Sequence, residues 1–169
     1  RKLLQLYIMD DFPNLKNPFH FLATLGGIGK IPLAPGTLGS IFSWLIFIFL
    51  SHFVNMFYAT FIGIFLSIWI CEMASKNLIH KDHRSIVIDE LIGIWIALLP
   101  VLYLADTQKE RTIYAIAALL FFRIFDIFKP FPVSYFDENF KNGTGIVIDD
   151  LIAGVMAIIP SYIILTLLV

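Results

Sequence analysis

Residues 86–93 read IVIDELIG, and residues 146–153 read IVIDDLIA. Each is an aliphatic run interrupted by two adjacent acids, Asp89 and Glu90 in the first and Asp149 and Asp150 in the second. An Asp costs about 2.5–3.5 kcal/mol at the centre of a membrane-inserted helix, and less near an interface. A chain that sets such a pair twice in the same apolar frame must compensate it, with a partner cation, a metal ion or water. The sequence around the two runs decides what kind of fold has to do this.

That sequence is oily. Of 169 residues, 59% are hydrophobic and 15% are charged, where a soluble domain has about 45–50% apolar residues. The mean hydropathy is +0.84. Five apolar stretches, 38–54, 58–74, 86–105, 112–128 and 147–169, approach the roughly 20 residues that cross a bilayer as a helix. The stretch 19–35 is apolar too, but Gly26, Gly27, Gly29, Pro32 and Pro35 break it, so it reads as a short interfacial or re-entrant element. Residues 1–18 are polar and lack the apolar core of a signal peptide. The expectation is one all-α, polytopic membrane domain over 1–169 with about five transmembrane helices. A net charge of −1 excludes a generally basic nucleic-acid binder. A lone cysteine, Cys71, allows neither a disulfide framework nor a Cys-based metal site.

Lys and Arg set the orientation. With the N-terminus inside, only Lys109 and Arg111 of the twelve basic residues fall outside, which the positive-inside rule favours. Both acid pairs, and Arg123 with Asp126, then gather at the cytoplasmic face, although acids took no part in setting the topology.

Residues 85–100 and 145–160 align at an offset of 60, with eight of 16 positions identical, including Asp89/Asp149 and Pro100/Pro160. One span lies between the copies, so the repeat is parallel. Adjacent side chains on a helix diverge by about 100°. One acid of each pair is therefore expected to reach a shared centre while its neighbour serves a basic residue or a metal-bound water. Two like-charged helix heads repel, and a divalent cation between them removes the repulsion. Oxygen-only ligands point to Mg²⁺, with Asp89, Glu90, Asp149, Asp150 and the nearby Asp82 as the candidate ligands. The plainer alternative is an ion-pair network in which Arg123 and Lys129 neutralise the acids.

In FFRIFDIFKPFP, residues 121–132, Arg123 and Asp126 share a helix face and Lys129 follows before the prolines. Arg offers a planar fork for phosphate and Lys a point charge. APGTLGS at 34–40 and NGTGIVIDD at 142–150 place Thr37 and Thr144 in turns that open helices, where free N–H groups attract phosphate. No nucleotide-phosphate loop or cysteine nucleophile motif is present.

Together, APGTLGS, DHRSIVIDELIG, FRIFDIFKPFP and GTGIVIDDLIAGV resemble the phosphatidylglycerophosphatase A family over about residues 17–160. The resemblance implies a multi-pass enzyme of the bacterial inner membrane, with its site facing the cytoplasm. It implies Mg²⁺-dependent hydrolysis of phosphatidylglycerophosphate to phosphatidylglycerol and phosphate, a step of phospholipid biosynthesis. On this reading Asp89, Asp149, Arg123 and Asp126 are catalytic, and Arg123, Lys129, Thr37 and Thr144 contact the phospholipid substrate. Two rivals stay open. A headgroup transferase would need a nucleotide-lipid site, for which no base-recognition candidate is visible. An ion-coupled transporter would hold its acids near the midplane, not at one end.

Overall fold

The structure is a computed structural model that describes residues 12–78, 81–140 and 142–169. Those residues form helices and no strand. In chain order they are α1 (Pro18–Ala23), a 3-10 turn at Ile28–Lys30, α2 (Pro35–Leu50), α3 (Met56–Ser75), α4 (Ile88–Leu98), α5 (Val101–Leu104), α6 (Gln108–Phe128), α7 (Val133–Asn139) and α8 (Gly143–Leu168). Most of the polar stretch 1–18 lies outside the described residues.

Local chemistry fixes the ends. Asn17, Asn55 and Asn142 each accept a backbone N–H at the start of α1, α3 and α8, the usual work of an N-cap. Helix α6 opens with a capping box: Glu110 N donates to Thr107 Oγ1 at 3.2 Å, and Thr107 N donates to Glu110 Oε2 at 3.2 Å. It closes on Lys129, which takes a left-handed φ of 43°. Pro130 follows, and the residue before a proline is steered away from right-handed helix. Between α1 and the 3-10 turn the chain reverses through Gly26 and Gly27, with φ of 73° and 102°. This is the break expected of 19–35.

Each of the five apolar stretches is helical, but their bounds differ from the sequence reading. The stretch 86–105 is two helices, α4 and the single turn α5, parted at Leu99–Pro100. Pro160, the aligned proline, lies inside an unbroken α8. Two helices, α3 and α8, are long and apolar enough to cross a membrane, and α2 is apolar but shorter. Helix α4 has only 11 residues, and α6 carries Lys109, Glu110, Arg111, Arg123 and Asp126. In both long helices only 28% of the most apolar window is buried, so neither is the core helix of a soluble protein. Phe57, Phe61, Phe65 and Trp69 stand exposed along one face of α3. Exposed apolar rows of this extent suggest a membrane-facing surface.

Helix α8 is the axis, packed against α3, α4, α6 and α7. The core joins Phe47, Ile92, Trp95, Tyr114 and Phe122 with small residues such as Ala153 and Ala157. Buried polar tips find carbonyls on neighbouring helices. Trp44 Nε1 donates to Ala115 O at 2.9 Å, Trp95 Nε1 to Ser43 O at 3.0 Å, and Tyr114 OH to Ala97 O at 3.2 Å. Helices α4 and α8 approach closely, and a Cβ on Gly154 would lie 2.2 Å from Gly93 O. Asp89 and Glu90 precede Gly93 by one helical turn, and Asp150 precedes Gly154 by one turn. The crossing therefore sets the acid pairs against each other.

Candidate active site

All four acids of the two runs are buried, at 4–8% exposure. Asp89 and Glu90 sit in the first turn of α4, where the positive end of the helix dipole favours carboxylates. Helix α8 begins at Gly143, so Asp149 and Asp150 lie nearly two turns inside it rather than at its start. Asp89, Glu90 and Asp150 each direct a carboxylate oxygen to one place, with those oxygens within 4.8 Å of one another. Asp89 Oδ1, Glu90 Oε2 and Asp150 Oδ2 are buried without a hydrogen-bond partner. A buried polar group without a partner is costly, and three carboxylates side by side are more so. An all-oxygen donor set of this kind fits a hard divalent cation such as Mg²⁺.

Asp149 stands apart from that trio. Its Oδ2 accepts from Lys129 Nζ at 2.8 Å, and Asp137 Oδ1 on α7 accepts from the same ammonium at 2.6 Å. Burial works against the charge of Lys129, but the two carboxylates outweigh it and hold its pKa above the ordinary lysine value. Asp149 Oδ1 remains without a partner. The pair on α8 thus divides its labour, as the divergence of neighbouring side chains predicts. The pair on α4 converges instead, because Glu90 is one methylene longer and can turn back to its neighbour. Glu90 Oε1 also fills the space beside Gly36, where a Cβ would approach it to 2.4 Å.

Arg123 lies behind the acids. Its guanidinium is bonded to Asp126, to Ser40 Oγ at 3.2 Å and to Thr37 Oγ1 at 3.3 Å, and it lies 3.9 Å from Glu90 Oε1. It ties α6 to the start of α2 and positions Glu90 and Asp126. Thr37 therefore touches Arg123 from within the first turn of α2, not from an N-cap, which is Ala34.

A cavity of about 540 Å³ opens on this group. Asp82, Asp89, Glu90, Asp126, Lys129, Asp149 and Asp150 line it, whereas Arg123, Thr37 and Thr144 do not. Thr144 is half-buried in the first turn of α8. The sequence reading passed over Asp137, Lys81 and Arg84, which also line the cavity. Asp137 carried no signal, since it falls in a seven-residue helix outside the repeat. It also passed over Glu72, whose Oε2 accepts from Gly143 N at 2.9 Å and fixes the start of α8.

A buried carboxylate cluster with a lysine and an arginine beside it, carried on apolar helices, is the equipment of a membrane phosphatase. Comparison with known proteins agrees. Residues 21–165 match the phosphatidylglycerophosphatase A family. The chain is 38% identical to phosphatidylglycerophosphatase A of Escherichia coli, covering 85% of this chain and 81% of that protein. It is 36% identical to phosphatidylglycerophosphatase A of Haemophilus influenzae, covering 88% and 90%. A protein of Bacteroides thetaiotaomicron, 35% identical over 86% of this chain and 94% of its own length, bears the provisional name phosphatidylinositol-3-phosphatase. No solved structure matches the chain. The chain belongs to the phosphatidylglycerophosphatase A family and is a hydrolase of phosphate monoesters.

Proposed function

We propose that the protein hydrolyses phosphatidylglycerophosphate to phosphatidylglycerol and phosphate, in phospholipid biosynthesis, with Mg²⁺ held by Asp89, Glu90 and Asp150. The observation that carries the metal reading is that Asp89, Glu90 and Asp150 each offer a carboxylate oxygen within 4.8 Å of the others, and each has a buried oxygen without a hydrogen-bond partner. The names of two relatives carry the substrate. When bound, Mg²⁺ supplies Lewis-acid neutralisation of phosphoryl charge.

The protein's own groups do the rest. Lys129 has three N–H donors and spends two on Asp137 and Asp149. The third is left for an oxygen of the monoester. Asp149, which lines the cavity and whose Oδ1 has no hydrogen-bond partner, accepts the proton of the attacking water and returns it to the departing alcohol oxygen of phosphatidylglycerol. Asp137 and Asp149 together keep the ammonium charged and aimed. Arg123 acts through Glu90 and Asp126, holding the acids in place against their mutual repulsion. Asp82 is exposed and also lines the cavity.

In the same reading α2, α3, α4 with α5, α6 and α8 are five crossings of a bacterial plasma membrane, and residues 85–100 and 145–160 are copies of one unit. The acyl chains stay in the bilayer while the headgroup enters the cavity from the cytoplasmic side.

The test is phosphate release by the purified protein in detergent, from phosphatidylglycerophosphate, phosphatidylinositol 3-phosphate and phosphatidic acid in parallel. Turnover should be highest on phosphatidylglycerophosphate, vanish in excess EDTA and return with Mg²⁺. Full activity in chelator would remove the metal from the reading. Preference for phosphatidylinositol 3-phosphate would move the substrate to the one in the Bacteroides relative's name.

A further inference from the structure

Three basic residues line the cavity: Lys81, Arg84 and Lys129. Two are committed to the protein. Lys129 holds Asp137 and Asp149. Lys81 Nζ donates to Ser75 O at 2.9 Å and to Lys76 O at 3.0 Å, closing the end of α3. Arg84 makes no ion pair or hydrogen bond through its side chain with any described residue, the nearby Asp82 included. It is exposed, while the acids are buried, so it stands at the rim and they form the floor.

An unpaired surface arginine is ordinary in itself. This one is held in place. Ile86 N donates to His83 O at 2.7 Å, Val87 N donates to Ala23 O at 2.9 Å, and Ser85 N donates to His83 Nδ1 at 3.2 Å. On the far side the loop presses on Gly29, where a Cβ would fall 2.0 Å from Ser85 O. The backbone beside Arg84 is thus pinned against the end of α1 and the turn that follows it, and Arg84 lines a cavity whose other lining charges are mostly negative.

We infer that Arg84 recognises the phosphodiester of the lipid headgroup, the phosphate that is not cleaved. The inference rests on the phosphatidylglycerophosphate reading. That headgroup carries two phosphates: a terminal monoester, which must reach the buried acids and Lys129, and a diester nearer the acyl chains. With the monoester on the floor, the diester is left towards the rim. A planar fork suits the two non-ester oxygens of a diester, and it binds them in a way an ammonium does not reproduce. Arg84 is then a specificity residue, selecting lipids with a second phosphate over those with one.

Two competitive inhibitors separate the sites in the full chain in detergent with Mg²⁺. Short-chain phosphatidylglycerol carries the diester without the monoester, and inorganic phosphate probes the floor. Arg84→Gln should raise KM for phosphatidylglycerophosphate and Ki for short-chain phosphatidylglycerol by about tenfold, the worth of a lost charge-assisted contact. Ki for phosphate and kcat should change by less than about twofold, within a small fraction of such a contact. Arg84→Lys should recover only part of the loss. Weakened phosphate inhibition equal to that of phosphatidylglycerol, a fall in kcat with KM unmoved, or no change in any constant would each overturn the inference. A wild-type protein that does not turn over phosphatidylglycerophosphate would reject the substrate reading itself. Wild-type turnover with an unaltered Arg84→Gln variant would reject only the role of Arg84.

Discussion

Asp89, Glu90 and Asp150 crowd three carboxylates together, and the one protein cation paired with them among the described residues is Arg123, 3.9 Å from Glu90 Oε1. Two like charges 4.8 Å apart repel by about 3 kcal/mol at an effective dielectric near 20. Asp149 differs, since one of its oxygens holds Lys129. The two arrangements predict opposite responses to the same substitution. Asn keeps the shape of Asp and removes the charge. In the absence of divalent cations, Asp89→Asn and Asp150→Asn should therefore melt above the wild type, because each relieves repulsion. Asp149→Asn should melt below it, because a partly buried lysine loses a partner. All three should lose at least about a hundredfold in kcat, a barrier increase of roughly 2.7 kcal/mol. Melting curves in EDTA, with turnover in Mg²⁺, provide both readouts. A lowered Tm for Asp89→Asn and Asp150→Asn would mean that the trio is a satisfied structural network and not a cation site. The four acids were visible in the sequence because the same aliphatic frame carries them twice. Their division was not visible, because it depends on the extra methylene of Glu90 and on Lys129, which only the end of α6 brings to Asp149. Asp137, from a short helix without a pattern, left no trace.

Helices α4 and α8 owe their approach to Gly93 and Gly154. A Cβ on Gly154 would meet Gly93 O at 2.2 Å, and a Cβ on Gly93 would meet Asp150 O at 2.8 Å and the Phe122 ring at 2.5 Å. Backbone cannot yield as a side chain can, so Gly154→Ala must part the helices and draw Asp150 away from Asp89 and Glu90. Gly63 on α3 is the control. The one tight contact of a Cβ there would be the Ile92 Cδ1 tip, at 2.7 Å, and that tip can turn to another rotamer. Gly154→Ala should lower Tm and cut activity at least about tenfold, one decade in rate being about 1.4 kcal/mol, while Gly63→Ala keeps most of both. Equal loss in the two variants would show that the crossing does not set the site. At this scale the sequence was legible in part. Five apolar stretches became helices, since hydropathy reports burial away from water whatever the partner. The ends were less legible. Pro100 coincides with the end of α4, yet Pro160 lies within α8, so the aligned prolines predicted neither outcome alone. The start of α8 moved back to Gly143 because Asn142 and Glu72 cap it there, and neither belongs to the apolar run.

At the scale of the whole molecule, the site must face the side from which its substrate and water arrive. In the proposed topology the basic residues put the acids on the cytoplasmic side. In that topology Lys109 and Arg111 are the two of the twelve Lys and Arg assigned outside, and both lie in the first turn of α6, next to its capping box. The cavity gathers the start of α4, the end of α6 and the first turns of α8, so one end of the helix set carries the whole site. Asn142 caps α8 at that end and is exposed, and Gln108 opens α6 at the other. Cys71 is fully buried, and its replacement by Ala leaves a background for single introduced cysteines. In sealed inverted and right-side-out vesicles, Asn142→Cys should react with a membrane-impermeant maleimide only from the cytoplasmic side. Gln108→Cys should react only from the outer side. The two positions lie at opposite ends of α6 and its connection to α8, so labelling of both from one side would mean that α6 does not cross, and the five-crossing topology would fall. Reversed labelling would keep the crossing and turn the site outward. The positive-inside rule would then fail for this chain, and a headgroup made in the cytoplasm could not reach the acids without a flip of the lipid.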